Sequence, residues 1–376
     1  MKVLILSCNT GEGHNSAARA IRNHLIEQDI DCTITDTLSL AGESLSRRVS
    51  QLYIYSTRTN LFKYLYKIGT AVSEFLEKVK SPIFLWNRSY SDRLEKLITH
   101  NGYDVVICVH LFPAEAITAL KLKGRIKVPA IFVMTDYTCI PFLDETELDS
   151  YVIPHEHLLE EFAMNGIPRS KLHPFGIPVD SCFHRSSPKT EARTEAASLF
   201  GWNIRTDRNW FLVMTGSMGF GNTQDIIDET IRQSGEKTEI IAVCGRNEQL
   251  LKQLQEGNKD RRNVHPTGFT DKIPLLMDAC DVLFTKPGGI SSTEAMSKSI
   301  PIIHTEPIPG CETRNAEFFH YHGMSYSCTE PKHQVSTAIR LCEDPEYRKR
   351  MTGAQQLNAK PDTCHNIFRL FRDRAS

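Results

Sequence analysis

Two Rossmann-like α/β halves are what this sequence predicts, and three observations carry the expectation. Short unbroken apolar runs recur along the chain with helical patterns between them, the mark of parallel strands covered on both faces. A strand, a Gly-rich turn and an amphipathic helix open the chain, and the same order returns after its midpoint in "NWFLVMTGSMGFGNTQDIIDETI". Between the copies, "KLHPFGIPVDSCF" and the polar "HRSSPKTEARTEAA" read as a domain crossing near residues 174–190. The 376 residues suit two domains. The expected division is 1–178, 179–355 and a closing helix over 356–376. Ligands of such sheets gather at the carboxyl ends of the strands, so the halves are expected to face one another across a cleft.

The elements follow in order. Val3 to Leu6 reads as a buried strand, and Ala17, Ala18, Ile21 and Leu25 repeat at helical spacing from Ser16. "SCNTGEGHN" is then a strand-to-helix turn that exposes backbone N–H groups to an anion. No Gly-Lys-Ser/Thr follows, so it is not a triphosphate loop. Gly11 and Gly13 lead to Ser16 rather than a third glycine, so it is not the dinucleotide fingerprint either. A plain turn with Asn15 or Ser16 as the helix cap is the alternative. "CTITD", "YDVVICVH", "PAIFVMTD" and "SYVIPH" supply further strands of the first half; "TEIIAVCG", "NVHPTGF", "DVLFTKPGG" and "SIPIIHTEP" supply those of the second.

Residues 42–97 break the alternation and read as a helical insertion in the first half. Leu61, Tyr64, Leu65, Ile68, Val72, Phe75, Leu76 and Val79 form one apolar face. Around it Arg47, Arg48, Arg58, Lys63 and Lys67 alternate with Tyr53, Phe62, Tyr66 and Trp86. Such a mixture suits contact with an anionic lipid surface, and it equally suits a stripe packed on its own domain.

Composition excludes several classes. The 44 Lys+Arg balance 45 Asp+Glu for a net charge of −1, which argues against nucleic-acid binding. The 11 cysteines include no C-x-x-C pair, the usage of a reduced cytosolic protein. No apolar run approaches the roughly 20 residues of a spanning helix, and the first is shorter than a signal-peptide core of about 7–15. The expectation is a cytoplasmic protein able to sit on the inner face of the cell membrane. Asp29-Ile30-Asp31 reads as solvated surface, and "PHEHLLE" and "FFHYHG" lack a third ligand, so no metal and no cofactor are expected.

The richest stretch is "DVLFTKPGGISSTEAMSKSIPIIHTEPIPGCETRNAEFF". A strand ends at Thr285, Pro287, Gly288 and Gly289 form a turn, and a helix is expected from about Ser291. Its N–H groups, with Ser291 and Ser292, suit a diphosphate without a metal, and Glu294 could accept hydrogen bonds from a ribose. A glutamate near a helix start is also favoured by the helix dipole alone.

At these residues the chain resembles the GT-B glycosyltransferases that make glycosyldiacylglycerols. These are the monogalactosyldiacylglycerol synthases and processive diacylglycerol glucosyltransferases, relatives of the N-acetylglucosaminyltransferase that completes lipid II. "TKPGGISSTEAMSKSIPII" and "PIPGCETRNAEFF" look like the family's donor signature, and "SCNTGEGHNSAARAI" is similar to its N-terminal loop. "VMTDYT" and "GIPV" also fall where the family has them, so the resemblance spans essentially the whole chain. It implies a UDP-sugar donor on the C-terminal half, a lipid acceptor such as diacylglycerol or its glycosylated form on the N-terminal half, and metal-independent transfer with inversion.

Carried over residue by residue, the resemblance gives Gly288, Gly289 and Ser291 to the diphosphate and Glu294 to the ribose. Phe269 lies against the base, and Gly216, Gly219, Gly13 and Gly310 line the donor. Glu312 and Asn315 read sugar hydroxyls, while Arg246 and Lys286 neutralise charge. Cys311 stands where the family commonly has Gln, which leaves glucose against galactose open. His14 is the expected general base, kept neutral by a helix N-terminus, and Asp136 orients it or the acceptor. As purely structural residues, the two would be helix caps. The alternatives are a UDP-N-acetylglucosamine transferase to a polyprenyl-linked acceptor, a UDP-sugar 2-epimerase, and a non-catalytic sugar-nucleotide sensor.

Overall fold

The unbroken apolar runs form parallel strands, in a computed structural model that describes residues 1–9, 12–42, 80–214 and 222–375. The chain divides into two units. The first comprises Met1–Ser181, Pro309–Cys311 and Lys360–Ser376, and the second Cys182–Ile308 with Glu312–Ala359.

In the first unit β1 (Lys2–Ser7) lies between β2 (Asp31–Asp36) and β3 (Val105–Cys108). β4 (Ala130–Val133), β5 (Ser150–Val152) and β6 (Leu172–His173) continue outward, giving the order β2-β1-β3-β4-β5-β6, parallel throughout. All four residues of β3 and of β4 are buried, as strands covered on both faces require. The order reverses between β1 and β3, and a ligand of such a sheet binds at that reversal.

The second unit holds β7 (Asn209–Met214), β8 (Thr238–Val243), β9 (Val264–Thr267), β10 (Val282–Thr285), β11 (Ile302–His304) and β12 (Tyr326–Ser327). Their parallel order is β12-β11-β10-β7-β8-β9, with the reversal between β7 and β10. Asp281 ties this sheet to the helix Lys189–Phe200. Its carboxylate takes Lys189 at 2.6 Å, Arg193 at 2.5 Å and the Trp210 amide at 2.8 Å.

The closing helix, Thr363–Ala375, belongs to the first unit. Its Ile367, Phe368 and Phe371 enter the core formed by Val3, Ile5, Ile107 and Val133. Gly176, within "GIPV", makes room for the returning chain. It adopts φ +104°, and a Cβ there would stand 2.6 Å from both Lys360 Cβ and Thr363 Oγ1.

Of the basic-aromatic segment, Arg47, Arg48, Tyr53, Arg58, Phe62, Lys63, Tyr66 and Lys67 lie outside the described residues. Residues 80–101 are helical, as Pro82–Arg88 and Ser91–Asn101. The first of these helices is capped by Ser81, whose hydroxyl accepts from Phe84 N, with Pro82 at its start. Trp86 is half-buried, its ring edge-on to Tyr90 and Phe112 at 5.8 and 5.7 Å. The exposed apolar side chains of that helix are Ile83 and Leu85. Among the described residues no helix is long and apolar enough to cross a membrane.

Candidate active site

The first unit's reversal carries a histidine of defined tautomer. The helix after β1 runs Glu12–Glu27 and starts earlier than its apolar spacing suggested. Gly13 and His14 therefore sit in its first turn, and Asn15 and Ser16 are helical residues rather than its cap. Asn15 instead accepts from the Ser7 hydroxyl at 2.7 Å, fastening the helix to the end of β1. His14 Nδ1 stands 2.8 Å from the carbonyl oxygen of Val109, the residue just past β3. A carbonyl only accepts, so Nδ1 carries the proton and Nε2 keeps its lone pair. The Thr135 hydroxyl lies 3.2 Å from the same Nδ1. Burial lowers the His14 pKa below the ordinary imidazole value, with the Asp136 charge and the Val109 bond opposing it. The expected direction holds, and burial is its main cause. Asp136 is half-buried, three residues beyond β4.

The second unit's reversal carries backbone donors. Gly288, extended at φ −70° and ψ 137°, caps the helix Gly289–Ser297, which begins two residues before Ser291. The first intrahelical bond joins Ser292 N to Gly288 O at 3.0 Å, so the N–H groups of Gly289, Ile290 and Ser291 have no acceptor within the helix. Lys286 Nζ is paired with Glu312, whose other oxygen accepts from Ile308 N at 2.8 Å. The buried Asn315 donates to Pro287 O at 3.0 Å. Lys286, Glu312 and Asn315 thus surround one turn although up to 29 positions separate them. Glu294 is half-buried in the second turn of the helix.

Ser292 corrects its expected place at the diphosphate. It is fully buried, and its hydroxyl lies 2.9 Å from His304 Nε2. His304 Nδ1 in turn meets Ser325 at 3.1 Å, and burial holds this imidazole down to about 3. The triplet braces the helix from inside. Arg246, after β8, stacks over the ring of Phe269, after β9, at 5.0 Å, and that ring is 61% exposed. Gly310 has φ +118° and groups with the first unit. Gly216 and Gly219 lie outside the described residues. Among the described residues no group of three or more His, Cys, Asp or Glu side chains could hold a metal ion.

Sequence reasoning missed Val109, Thr135 and His110. The last stands in the quoted run "YDVVICVH", where a polar residue closing a buried strand was the available signal.

Residues 14–179 match the family described as monogalactosyldiacylglycerol (MGDG) synthase, and residues 207–357 match glycosyl transferases group 1. The processive diacylglycerol beta-glucosyltransferase of Bacillus pumilus is 25% identical over 93% of this chain and 89% of its own. In fold, the crystal structure of Acinetobacter baumannii MurG is similar, with TM-score 0.63, 12% identity and 99% of both chains covered. So is Anabaena Alr3699/HepE in complex with UDP and glucose, with TM-score 0.60, 13% identity and 99% of both chains covered.

Two parallel α/β sheets and these likenesses define a glycosyltransferase of the GT-B fold, a hexosyltransferase. The chain carries a monogalactosyldiacylglycerol synthase domain followed by a glycosyl transferases group 1 domain, and it is similar over nearly its full length to processive diacylglycerol beta-glucosyltransferases.

Proposed function

We propose that this protein moves a hexose, with inversion and without a metal, from a UDP-sugar to the free hydroxyl of diacylglycerol at the cytosolic face of a membrane. One observation carries the chemistry: the Val109 carbonyl fixes the His14 proton on Nδ1, leaving Nε2 as a neutral proton acceptor. The acceptor hydroxyl gives its proton to His14 Nε2 while its oxygen bonds the anomeric carbon. The bond from that carbon to the diphosphate breaks, and its electron pair leaves with UDP. Asp136 stabilises the imidazolium that forms. The amides of Gly289, Ile290 and Ser291 take the charge developing on the diphosphate, assisted by Lys286. Glu294 accepts from the ribose hydroxyls, Phe269 with Arg246 meets the base, and Glu312 and Asn315 read the sugar.

The relatives' name supports glucose and diacylglycerol, and a β product from an α-linked UDP-glucose is an inversion. The basic-aromatic segment that ends at Trp86, with Ile83 and Leu85 exposed beside it, supports a lipid surface.

The test incubates the full chain with UDP-glucose or UDP-galactose, with and without diacylglycerol in anionic vesicles, and follows UDP release and lipid products. Lipid-dependent release with UDP-glucose and a glucosyldiacylglycerol product is the expected result. UDP-sugar binding without lipid-dependent turnover would overturn the diacylglycerol reading.

A further inference from the structure

A second histidine stands beside the first, and its backbone contact fixes the opposite tautomer. His110, directly after Val109, is the N-cap of the helix Leu111–Leu122, and its Nδ1 accepts from the Phe112 amide at 3.1 Å. An Nδ1 that accepts carries no proton, so in the neutral ring the proton lies on Nε2, which becomes a donor. His14 is the mirror case, with its proton on Nδ1 and a lone pair on Nε2. The two rings meet edge-to-face with centroids 4.6 Å apart. Among the described residues neither Nε2 has a hydrogen-bond partner, and neither is among the unpartnered polar atoms sealed from solvent. Burial drives the His110 pKa well below the ordinary value, so the donor tautomer persists while its neighbour gains a proton.

We infer that His110 binds the acceptor: its Nε2–H donates to the hydroxyl oxygen whose proton His14 Nε2 removes. The inference rests on the reading of His14 as the base. A hydroxyl is a donor and a double acceptor, and this pair presents one acceptor and one donor to it. One lone pair of the oxygen takes the His110 hydrogen bond, the proton goes to His14, and the second lone pair attacks the sugar. An oxygen making hydrogen bonds of about 2.8 Å can touch both rings at this separation. Water offers the same groups, but only an acceptor held by the rest of its body keeps its oxygen there. The pair thus favours an alcohol that is anchored elsewhere, as a lipid is. Beyond His110 the aromatic contacts run on to Phe112 at 4.6 Å and from Phe112 to Trp86 at 5.7 Å, an apolar path for the glycerol body.

Two substitutions separate this role from the cap. In His110→Asn the side-chain oxygen falls near Nδ1 and can still cap Phe112, but the distal donor is gone. In His110→Gln the amide nitrogen falls near Nε2, so the donor is kept and the cap is lost. Both variants are assayed with UDP-glucose and diacylglycerol vesicles, beside wild type and His14→Ala, with the folded fraction matched by thermal unfolding and UDP affinity measured by calorimetry. The expected result is a loss in kcat of about tenfold to a hundredfold for Asn at unchanged UDP affinity and Tm. Gln is expected to stay within about threefold of wild type and to lose a few degrees of Tm. Activity for Asn equal to or above that for Gln overturns the inference and leaves His110 a cap. A wild type without lipid-dependent turnover, or a His14→Ala at wild-type rate, instead overturns the functional reading beneath it.

Discussion

The two sheets place a helix start at the same kind of position and equip it in opposite ways. Each reverses its strand order once, β1 to β3 in the first unit and β7 to β10 in the second. In the first, a side chain occupies the helix start, and a carbonyl from the neighbouring strand end fixes its proton. In the second, the N–H groups of Gly289, Ile290 and Ser291 have no acceptor within the helix, and the Lys286–Glu312 pair belongs to the same turn. The topology supplies a position; the residues of one turn decide the chemistry proposed for it, a proton acceptor in the first unit and an anion cradle in the second. The buried carboxylates differ as well. Burial pushes Asp281 up, but Lys189 and Arg193 outweigh it and hold it below the usual range. Glu115 of the first unit accepts from the Asn87 amide at 2.5 Å, and burial pushes it up to about 8.

These contrasts break or sharpen under five changes. His14→Ala is expected to lower kcat about a thousandfold with UDP affinity intact. A wild-type rate in a folded variant would remove the proton-moving role from the first unit. For Glu115 the folded pKa is raised, so the folded state binds the extra proton between about 4.5 and about 8, and stability falls as pH rises through that window. Glu115→Gln should flatten this slope and gain roughly 3 kcal/mol at pH 7 in urea unfolding. Asp281 has the opposite sign: its stabilisation is present above the ordinary Asp value and is lost on acidification below it. Gly176→Ala meets both a positive φ and the returning chain, and should cost about 3 kcal/mol, read as a fall in Tm. An unshifted Tm would mean that the first unit does not depend on its borrowed helix.

Glu294→Ala removes the proposed charged acceptor of the ribose and should raise the donor KM about tenfold to a hundredfold, with kcat changed less. The smallest effect concerns pH. Burial lowers the His14 pKa, so the acid limb of kcat/KM should lie below about 6.5, with activity lost as pH falls through it. Asp136 opposes that shift, and Asp136→Asn should move the limb lower still, as a pH–rate profile would read. An unmoved limb would detach Asp136 from His14.

Much of this was legible locally. The strands announce themselves as short apolar runs bounded by turn residues, and "TKPGGISSTE" carries its turn and its helix start within ten positions. The helix start was misread by two residues, because glycines carry no apolar spacing to count. Ser292 was placed on the ligand side for the same reason: one step of helical register separates an inward hydroxyl from an outward one.

The amino-acid sequence by itself determined the α/β class, the repeated strand–turn–helix theme, the turn proposed for the diphosphate and His14 as a candidate base. Each depends on residues a few positions apart, whose geometry the backbone sets directly. Only the tertiary structure decided which nitrogen of His14 holds the proton, because Val109 lies 95 positions away and reaches it through the pairing of β1 with β3. It alone set His110 against His14, turned Ser292 toward His304, and returned the last helix to the first core. Proton positions and packing partners are fixed by contacts across the sheet, and a linear pattern does not record which strand ends will meet.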